Sequence, residues 1–341
     1  MTNDLLNSFL SQSTDLSILF RHLGNKTGVH AYLITGEKGA GKKTLAKLMA
    51  SALLCSSDGS RPCGICKNCI LAANEEHPDL IIIEQGNPIA PGIKKDRSTI
   101  PVEDIREMIR LCGVRSTEGN MHVVLIRDAE KMTVQAQNCL LKTLEEPPSD
   151  TCIILATDHM ESLLSTVISR CRIIRIKPWE DAYLQKVLAE KGIEQKRILY
   201  TIRAAGGSIG RAIELAEDDQ FWELQETVLK CFFRTTSRSD VIKISNDWKD
   251  RKQDADRVLM ILESLISMLT EARFSSSKTI DLSRFPPQWQ RFSAEAGIEK
   301  FTQLTESVTE ARKQLQFSVN FQAVLERLIF SFIGEGNAWL Q

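Results

Sequence analysis

A chain of 341 residues is too long for one ordinary core, and the length predicts two or three domains. Lys and Arg number 43 against 44 Asp and Glu, a near-balance that excludes a globally basic nucleic-acid coat and a disordered acidic tail, though not a local basic face. The stretch MTNDLLNSFLSQSTD has neither the basic start nor the long apolar run of a secretory signal, and nothing reaches the roughly 18 apolar residues of a membrane span. The chain therefore reads as cytoplasmic, with no membrane partner.

Residues 15–24 carry Leu16, Ile18, Leu19, Phe20 and Leu23 at helical spacing. HAYLIT is a short apolar run that ends in the glycine-rich GEKGAGKKT, and LAKLMASALLC then returns to the helical period. Strand, glycine loop and helix in that order begin a nucleotide-binding α/β unit. LIIIE over 80–84 predicts a second strand, and the Gly, Pro and charged residues of 86–101 a loop. VEDIREMIRLCGV predicts an amphipathic helix, HVVLIR over 122–127 a third strand, and 131–145 a helix stopped by Pro147 and Pro148. TCIILAT over 151–157 and RIIRIK over 172–177 complete five strands. Alternation of strands and helices up to residue 177 implies a mostly parallel sheet with helices on both faces. Beyond Pro178 only helices are predicted, among them RVLMILESLISMLTEA and FQAVLERLIFSFI. The fold class is thus α/β plus all-α: an α/β domain over 1–177, a small helical domain over 178–218 and a larger helical domain over 219–341.

Gly36-Glu37-Lys38-Gly39-Ala40-Gly41-Lys42 fits the P-loop frame G-x-x-x-x-G-K. Gly36, Gly39 and Gly41 let backbone N–H groups turn toward phosphate oxygens, and Lys42 would add a positive charge at the β- and γ-phosphates. The next position should be Ser or Thr, whose hydroxyl binds Mg²⁺, yet it is Lys43. Thr44 follows, but it lies about 100° further round the helix. ATP or ADP binding is compatible with this loop, whereas Lys43 argues against Mg²⁺ binding and efficient hydrolysis.

Nine cysteines in a reducing compartment argue against a disulfide framework. Cys112, Cys139, Cys152, Cys171 and Cys231 are scattered and read as buried free thiols. Cys55, Cys63, Cys66 and Cys69 form C-x₇-C-x₂-C-x₂-C, whose short spacers let four sulfurs converge on one tetrahedral Zn²⁺. Four thiolates leave no position for a catalytic water, so the predicted zinc is structural. Pro62, Gly64, Lys67 and Asn68 between them read as an exposed knuckle.

LLKTLEEPP (140–148), followed some way on by Ser169-Arg170-Cys171, resembles the bacterial DNA polymerase III clamp-loader subunits of the AAA+ class, gamma/tau and delta-prime. HAYLITG, the cysteines after the first P-loop helix, His77-Pro78-Asp79 and Gly206-Gly207-Ser208-Ile209-Gly210-Arg211-Ala212 agree with it, and VNFQAVLERLIFSF looks like the family's last collar helix. The resemblance implies an AAA+ domain over 1–177 with a zinc insertion at 55–69, a helical lid over 178–218 and an oligomerising collar over 219–341. It also implies that the Walker B aspartate falls on Arg127 and the catalytic glutamate on Asp128; a competing register makes Asp128 the metal ligand with Glu130 nearby. Together with Lys43, the metal site is eroded at both ends, as in delta-prime rather than in the gamma/tau motor. By the same resemblance, Arg170 is an arginine finger for a neighbouring subunit's ATP, and Arg211 matches the sensor 2 arginine, whose task is to touch nucleotide. The implied partners are gamma/tau and delta subunits in a hetero-oligomeric ring, with the sliding clamp and primed DNA reached through that complex.

Weaker candidates remain. Lys94, Lys95 and Arg97 form a small basic loop, and the apolar stripe of 257–272 is core or subunit interface. His22, His30 and His159 carry no base–nucleophile pattern, and no polymerase or nuclease carboxylate constellation is present. The reading is a delta-prime-like subunit with weak or no ATPase. Its rivals are a gamma/tau-like motor and a stand-alone zinc nucleic-acid-binding module.

Overall fold

The computed structural model describes residues 2–25, 28–93, 97–118, 121–148, 150–235, 237–249, 251–274, 282–317 and 320–337. Lys94 and Lys95 lie outside these residues; Arg97 is exposed. Two compact units result, one of residues 1–180 with Ser208–Gly210, the other of 181–207 with 211–341.

The first unit is built on strands β1 (Ala31–Thr35), β2 (Leu80–Ile83), β3 (His122–Ile126), β4 (Thr151–Thr157) and β5 (Arg172–Arg175), all parallel, in the order β2-β3-β4-β1-β5. Every residue of β3 and β4 is buried. Strands covered on both faces need such continuous apolar runs, and HVVLI and TCIILAT supply them. β5 is an edge, and its exposed Arg172 and Arg175 guard it against pairing with other chains. Helices α1 (Thr2–Gln12), α2 (Thr14–Gly24), α3 (Lys42–Leu54), α4 (Lys67–Ala73), α5 (Val102–Cys112), α6 (Val134–Glu145) and α7 (Ser165–Ile168) complete the unit. Leu33, Val124, Ile126, Ile153 and Leu155 pack under α5 and α6, while α3 crosses the middle strands. This is the parallel, helix-flanked α/β architecture that the sequence predicts.

Two differences from the predicted elements have physical causes. The helix expected from 131 starts at Val134, because Thr133 is its N-cap, accepting from the Ala136 N–H at 3.2 Å. Residues 131–133 instead exchange backbone hydrogen bonds with Ile100. The second difference is α1, which the sequence reading passed over; its Phe9 is fully buried.

The second unit consists of α8 (Asp181–Glu190), α9 (Gln195–Ala205), α10 (Ile209–Glu217, from Arg211 onward), α11 (Asp219–Val228), α12 (Arg238–Trp248), α13 (Ala255–Phe274), α14 (Pro287–Glu295), α15 (Ile298–Gln316) and α16 (Phe321–Asn337). Tyr200 and Ala204 of α9 share one apolar core with α11 to α16, so residue 218 falls inside this unit. At its centre Phe233, in a π-helical turn over Leu229–Arg234, stacks edge-on against Phe285, Trp289 and Phe332. The stripe of α13, from Val258 to Leu269, is buried here: core rather than open interface. Among the described residues no helix is long and apolar enough to cross a membrane.

Candidate functional site

The glycine loop leaves the carboxyl end of β1, where the strand order turns back on itself, the usual place for ligand crevices in parallel sheets. Gly41 caps α3 with φ of 101°, a left-handed conformation that a side chain resists. A Cβ there would also sit 3.0 Å from Phe9 Cζ of α1. Phe9 in turn stacks on Trp179 at 5.0 Å, and the Trp179 indole N–H donates to the Ala40 carbonyl at 2.9 Å. On the same loop, the Ser208 hydroxyl donates to the Lys38 carbonyl at 2.8 Å and the Gly210 N–H to the Gly39 carbonyl at 2.9 Å. Gly210 is needed there, since a Cβ would come within 2.9 Å of Gly39 Cα.

Lys42, only 7% exposed, points inward. Its ammonium donates to the Gly36 carbonyl at 2.7 Å and the Glu37 carbonyl at 2.6 Å, and pairs with Asp158 at 2.5 Å beyond the end of β4. An ammonium has three N–H donors, and these three acceptors match them one for one. Lys43 pairs with Asp128 at 3.1 Å. Asp128 sits just after β3 in a left-handed conformation (φ 52°), which Asp tolerates better than most residues. Asp128, which figures in both registers, thus faces the helix of the glycine loop. Glu130 is turned elsewhere and accepts from the Thr157 hydroxyl at 2.7 Å.

Arg127 is buried and makes a forked pair with Glu75, at 2.7 and 3.1 Å, plus a bond to Glu84 at 3.2 Å. Lys47 of α3 also pairs with Glu75. Hydrogen bonds from Arg127 hold the Glu75 carboxyl down at about 2, with Lys47 adding to the effect against the cost of burial. Arg127 thus binds the ends of β2, β3 and the turn after α4 into one charged knot.

The four predicted cysteines come together, with all four sulfurs within 4.8 Å of one another. The Cys55–Cys66 and Cys63–Cys69 sulfurs are each 3.9 Å apart. Tetrahedral Zn²⁺ with bonds of about 2.3 Å requires sulfur–sulfur edges of roughly 3.8 Å, so the donor set fits the ion. Backbone N–H groups of Cys66, Cys69 and Ser57 donate to the sulfurs of Cys63, Cys66 and Cys55 at 3.4, 3.4 and 3.5 Å, orienting them. Burial alone would raise the Cys66 thiol, but backbone N–H groups of Ser56 and Cys69 outweigh it and bring it to about 6. The knuckle is less exposed than its composition suggests. Pro62 and Asn68 are buried, and the Asn68 amide donates to the Leu54 carbonyl at 3.2 Å, tying α4 to the end of α3. Of the scattered cysteines, Cys112, Cys152 and Cys231 are buried, while Cys139 and Cys171 are half-buried.

Arg170 follows α7 at the surface, where it donates to the Thr166 carbonyl at 3.0 Å and pairs with Glu145. Arg211, in the second unit, lies against the Met260 sulfur. Thr44 is half-buried on α3 next to the exposed Lys43. His30 Nε2 bonds the Leu144 carbonyl at 2.9 Å, His159 pairs with Glu161, and neither has a nucleophile beside it among these contacts. Sequence reading missed Phe9, Glu75, Asp158 and Trp179. The spacing of Leu5, Leu6, Phe9 and Leu10 was a usable signal for α1, whereas nothing local marks Asp158 or Glu75 as partners of distant cations.

Two family models match the chain: one described as DNA polymerase III, delta subunit, over residues 11–180, and one described as DNA polymerase III, delta subunit, C terminal, over 219–333. DNA polymerase III subunit delta' of Bacillus subtilis (strain 168) is 28% identical over 325 residues, 92% of this chain and 94% of that protein. The Escherichia coli (strain K12) delta' subunit is 34% identical over 215 residues, 62% of each chain. DNA polymerase III subunit tau of Salmonella typhimurium is 32% identical over 195 residues, 55% of this chain and 29% of tau. Both halves are matched by delta-subunit models and the likeness to delta' runs nearly end to end, so the chain belongs to the delta-prime family of DNA polymerase III clamp-loader subunits.

Proposed function

We propose that this subunit is the non-motor member of its clamp loader, bracing the ring and lending Arg170 to a neighbouring ATPase. The observation that carries the reading is the internal pairing of the P-loop cations. The three donors of Lys42 are matched by Asp158 and two loop carbonyls, and Lys43 holds Asp128. A divalent ion at the usual hydroxyl-ligand position would stand beside the Lys43 ammonium. Two unit charges 4 Å apart repel by about 4 kcal/mol at an effective dielectric of 20, and a divalent ion doubles that. Mg²⁺-dependent turnover at this loop is therefore disfavoured, whether or not ATP or ADP enters.

The remaining parts of the reading follow the family. Cys55, Cys63, Cys66 and Cys69 hold one structural Zn²⁺, supported by the fit of their sulfur spacing. Residues 178–218 act as a lid, with Arg211 at the sensor 2 position, and 219–341 form the collar that joins gamma/tau and delta subunits. The complex, working in the cytoplasm, places a sliding clamp on primed DNA. An arginine finger stabilises developing γ-phosphate charge and is worth about 10³–10⁵ in rate where it acts.

Two measurements on purified material test this. The isolated chain should turn over no ATP, and Mg²⁺-dependent turnover abolished by Lys42→Ala would favour the gamma/tau-like motor instead. In a complex reconstituted with its own cell's ATPase and delta subunits, Arg170→Ala should leave assembly intact and slow ATP hydrolysis; an unchanged rate would return Arg170 to a surface ion pair.

A further inference from the structure

Glu145 is the last residue of α6, and its side chain stands where a carboxylate is locally unwelcome. The C-terminal end of a helix carries partial negative charge, which disfavours an acidic residue there. What offsets that cost is Arg170, whose Nη2 pairs with the Glu145 carboxylate while its Nη1 donates to the Thr166 carbonyl at 3.0 Å. The guanidinium has five N–H donors, and these two contacts engage one on each Nη, leaving the others for a further acceptor. It is 35% exposed and Glu145 50%, so the pair sits at the surface within reach of another chain.

The backbone that carries this carboxylate is well fixed. Leu144, one residue earlier, is buried in the core under the sheet, and its carbonyl is bonded to His30 Nε2 at 2.9 Å. The Glu146 N–H closes the last helical turn on the Lys142 carbonyl at 2.9 Å, and Pro147 and Pro148 then stop the helix. On the other side, Ser169, Arg170 and Cys171 donate backbone hydrogen bonds to Ser165, Val167 and Ile168, so the base of the arginine is held too. Two anchored backbones thus face each other, with one long side chain bridging them. An arginine left free must give up its rotamer freedom when it engages a phosphate, and one already oriented loses less.

We propose that Glu145 is the positioning residue of the arginine finger: it holds the Arg170 guanidinium from behind so that its unused donors face the neighbouring subunit's nucleotide. This rests on Arg170 being a finger. It also gives the two acidic residues of LEEPP unequal tasks, since Glu145 makes the contact and Glu146 caps the helix through its backbone.

The test is steady-state ATPase of the reconstituted complex carrying Arg170→Ala, Glu145→Gln or both. Glu145→Gln is isosteric and half-exposed, so assembly, read by gel filtration, should be unaffected. It should lower the Arg170-dependent part of kcat by about two- to fivefold, the range of an ion pair at such exposure, and leave the KM for ATP unchanged. In the Arg170→Ala background it should change nothing further. A wild-type rate for Glu145→Gln, or an equal loss with and without Arg170, overturns the positioning role while the finger stands. A silent Arg170→Ala overturns the finger itself, and the role of Glu145 with it.

Discussion

Arg127→Met removes the cation from the knot of Glu75 and Glu84 while keeping most of the side-chain bulk. Arg127 is 7% exposed and its acceptors 28% and 27%, so the knot is mostly shielded from water. Deleting one partner of a buried ion pair costs about 3–5 kcal/mol; partial exposure of the two carboxylates, and the retained Lys47, reduce this to roughly 2–3. The loss should depend on pH with a definite sign. Glu75 is held at about 2 in the fold against 4.5 when unperturbed, so its stabilisation is complete above 4.5 and is lost as pH falls toward 2. By pH 4 about 1 kcal/mol of the wild-type stabilisation has gone; Lys47 keeps part of that effect in the variant, so the gap between the two should narrow by somewhat less than this. The chain has two compact units, so one global melt would not report a single transition. Amide hydrogen exchange of Val124, Leu125, Ile153 and Ile154 in β3 and β4, at pH 7 and pH 4, reads the first unit alone. A gap below about 0.5 kcal/mol at pH 7, or one identical at both pH values, would refute the account of Arg127 as the centre of the knot.

The remaining predictions concern the cysteines and the loop. Purified protein should carry one zinc per chain by elemental analysis, and stripping the metal should raise amide exchange in α4 and the C-terminal end of α3; a metal-free, equally protected preparation would count against the site. Gly41→Ala combines a left-handed backbone with a 3.0 Å approach to Phe9, and should cost roughly 1–3 kcal/mol in stability of the first unit. Unaltered β3 exchange in that variant would mean the loop and α1 do not pack as described.

What the sequence made legible divides by the range of the interactions involved. The five strands were readable because a doubly covered parallel sheet demands continuous apolar runs, and HVVLI and TCIILAT have no other stable use. The cysteine cluster was readable because its four ligands lie close along the chain and their spacing alone brings the sulfurs together. That Lys43 stands where the P-loop frame expects a hydroxyl was legible directly from the sequence. Where the charges of Lys42 and Arg127 went was not readable. Asp158 lies 116 positions from Lys42 and Glu75 lies 52 from Arg127, and only the strand order joins them. The same holds for Phe9 and Trp179, which meet over the loop from residues flanking the whole α/β segment.

The pairings share one logic. In a working P-loop ATPase, the carboxylates at the strand ends and the loop carbonyls face a nucleotide and its metal, and their arrangement depends on what is bound. Here cations fixed to the chain serve those groups instead: Lys42 for Asp158 and the loop, Lys43 for Asp128, Arg127 for Glu75 and Glu84. A carboxylate balanced by a tethered ammonium needs no ligand for its charge, and Phe9 and Trp179 pack over the loop as a core would. The charged groups of the first unit are thus balanced from within the chain. On the proposed function, that suits a subunit whose contribution is a single arginine held at a fixed place. A domain that changed shape with its own ATP would carry Arg170 in and out of reach, whereas the non-motor subunit proposed here would present it constantly and leave the timing to the neighbour that hydrolyses.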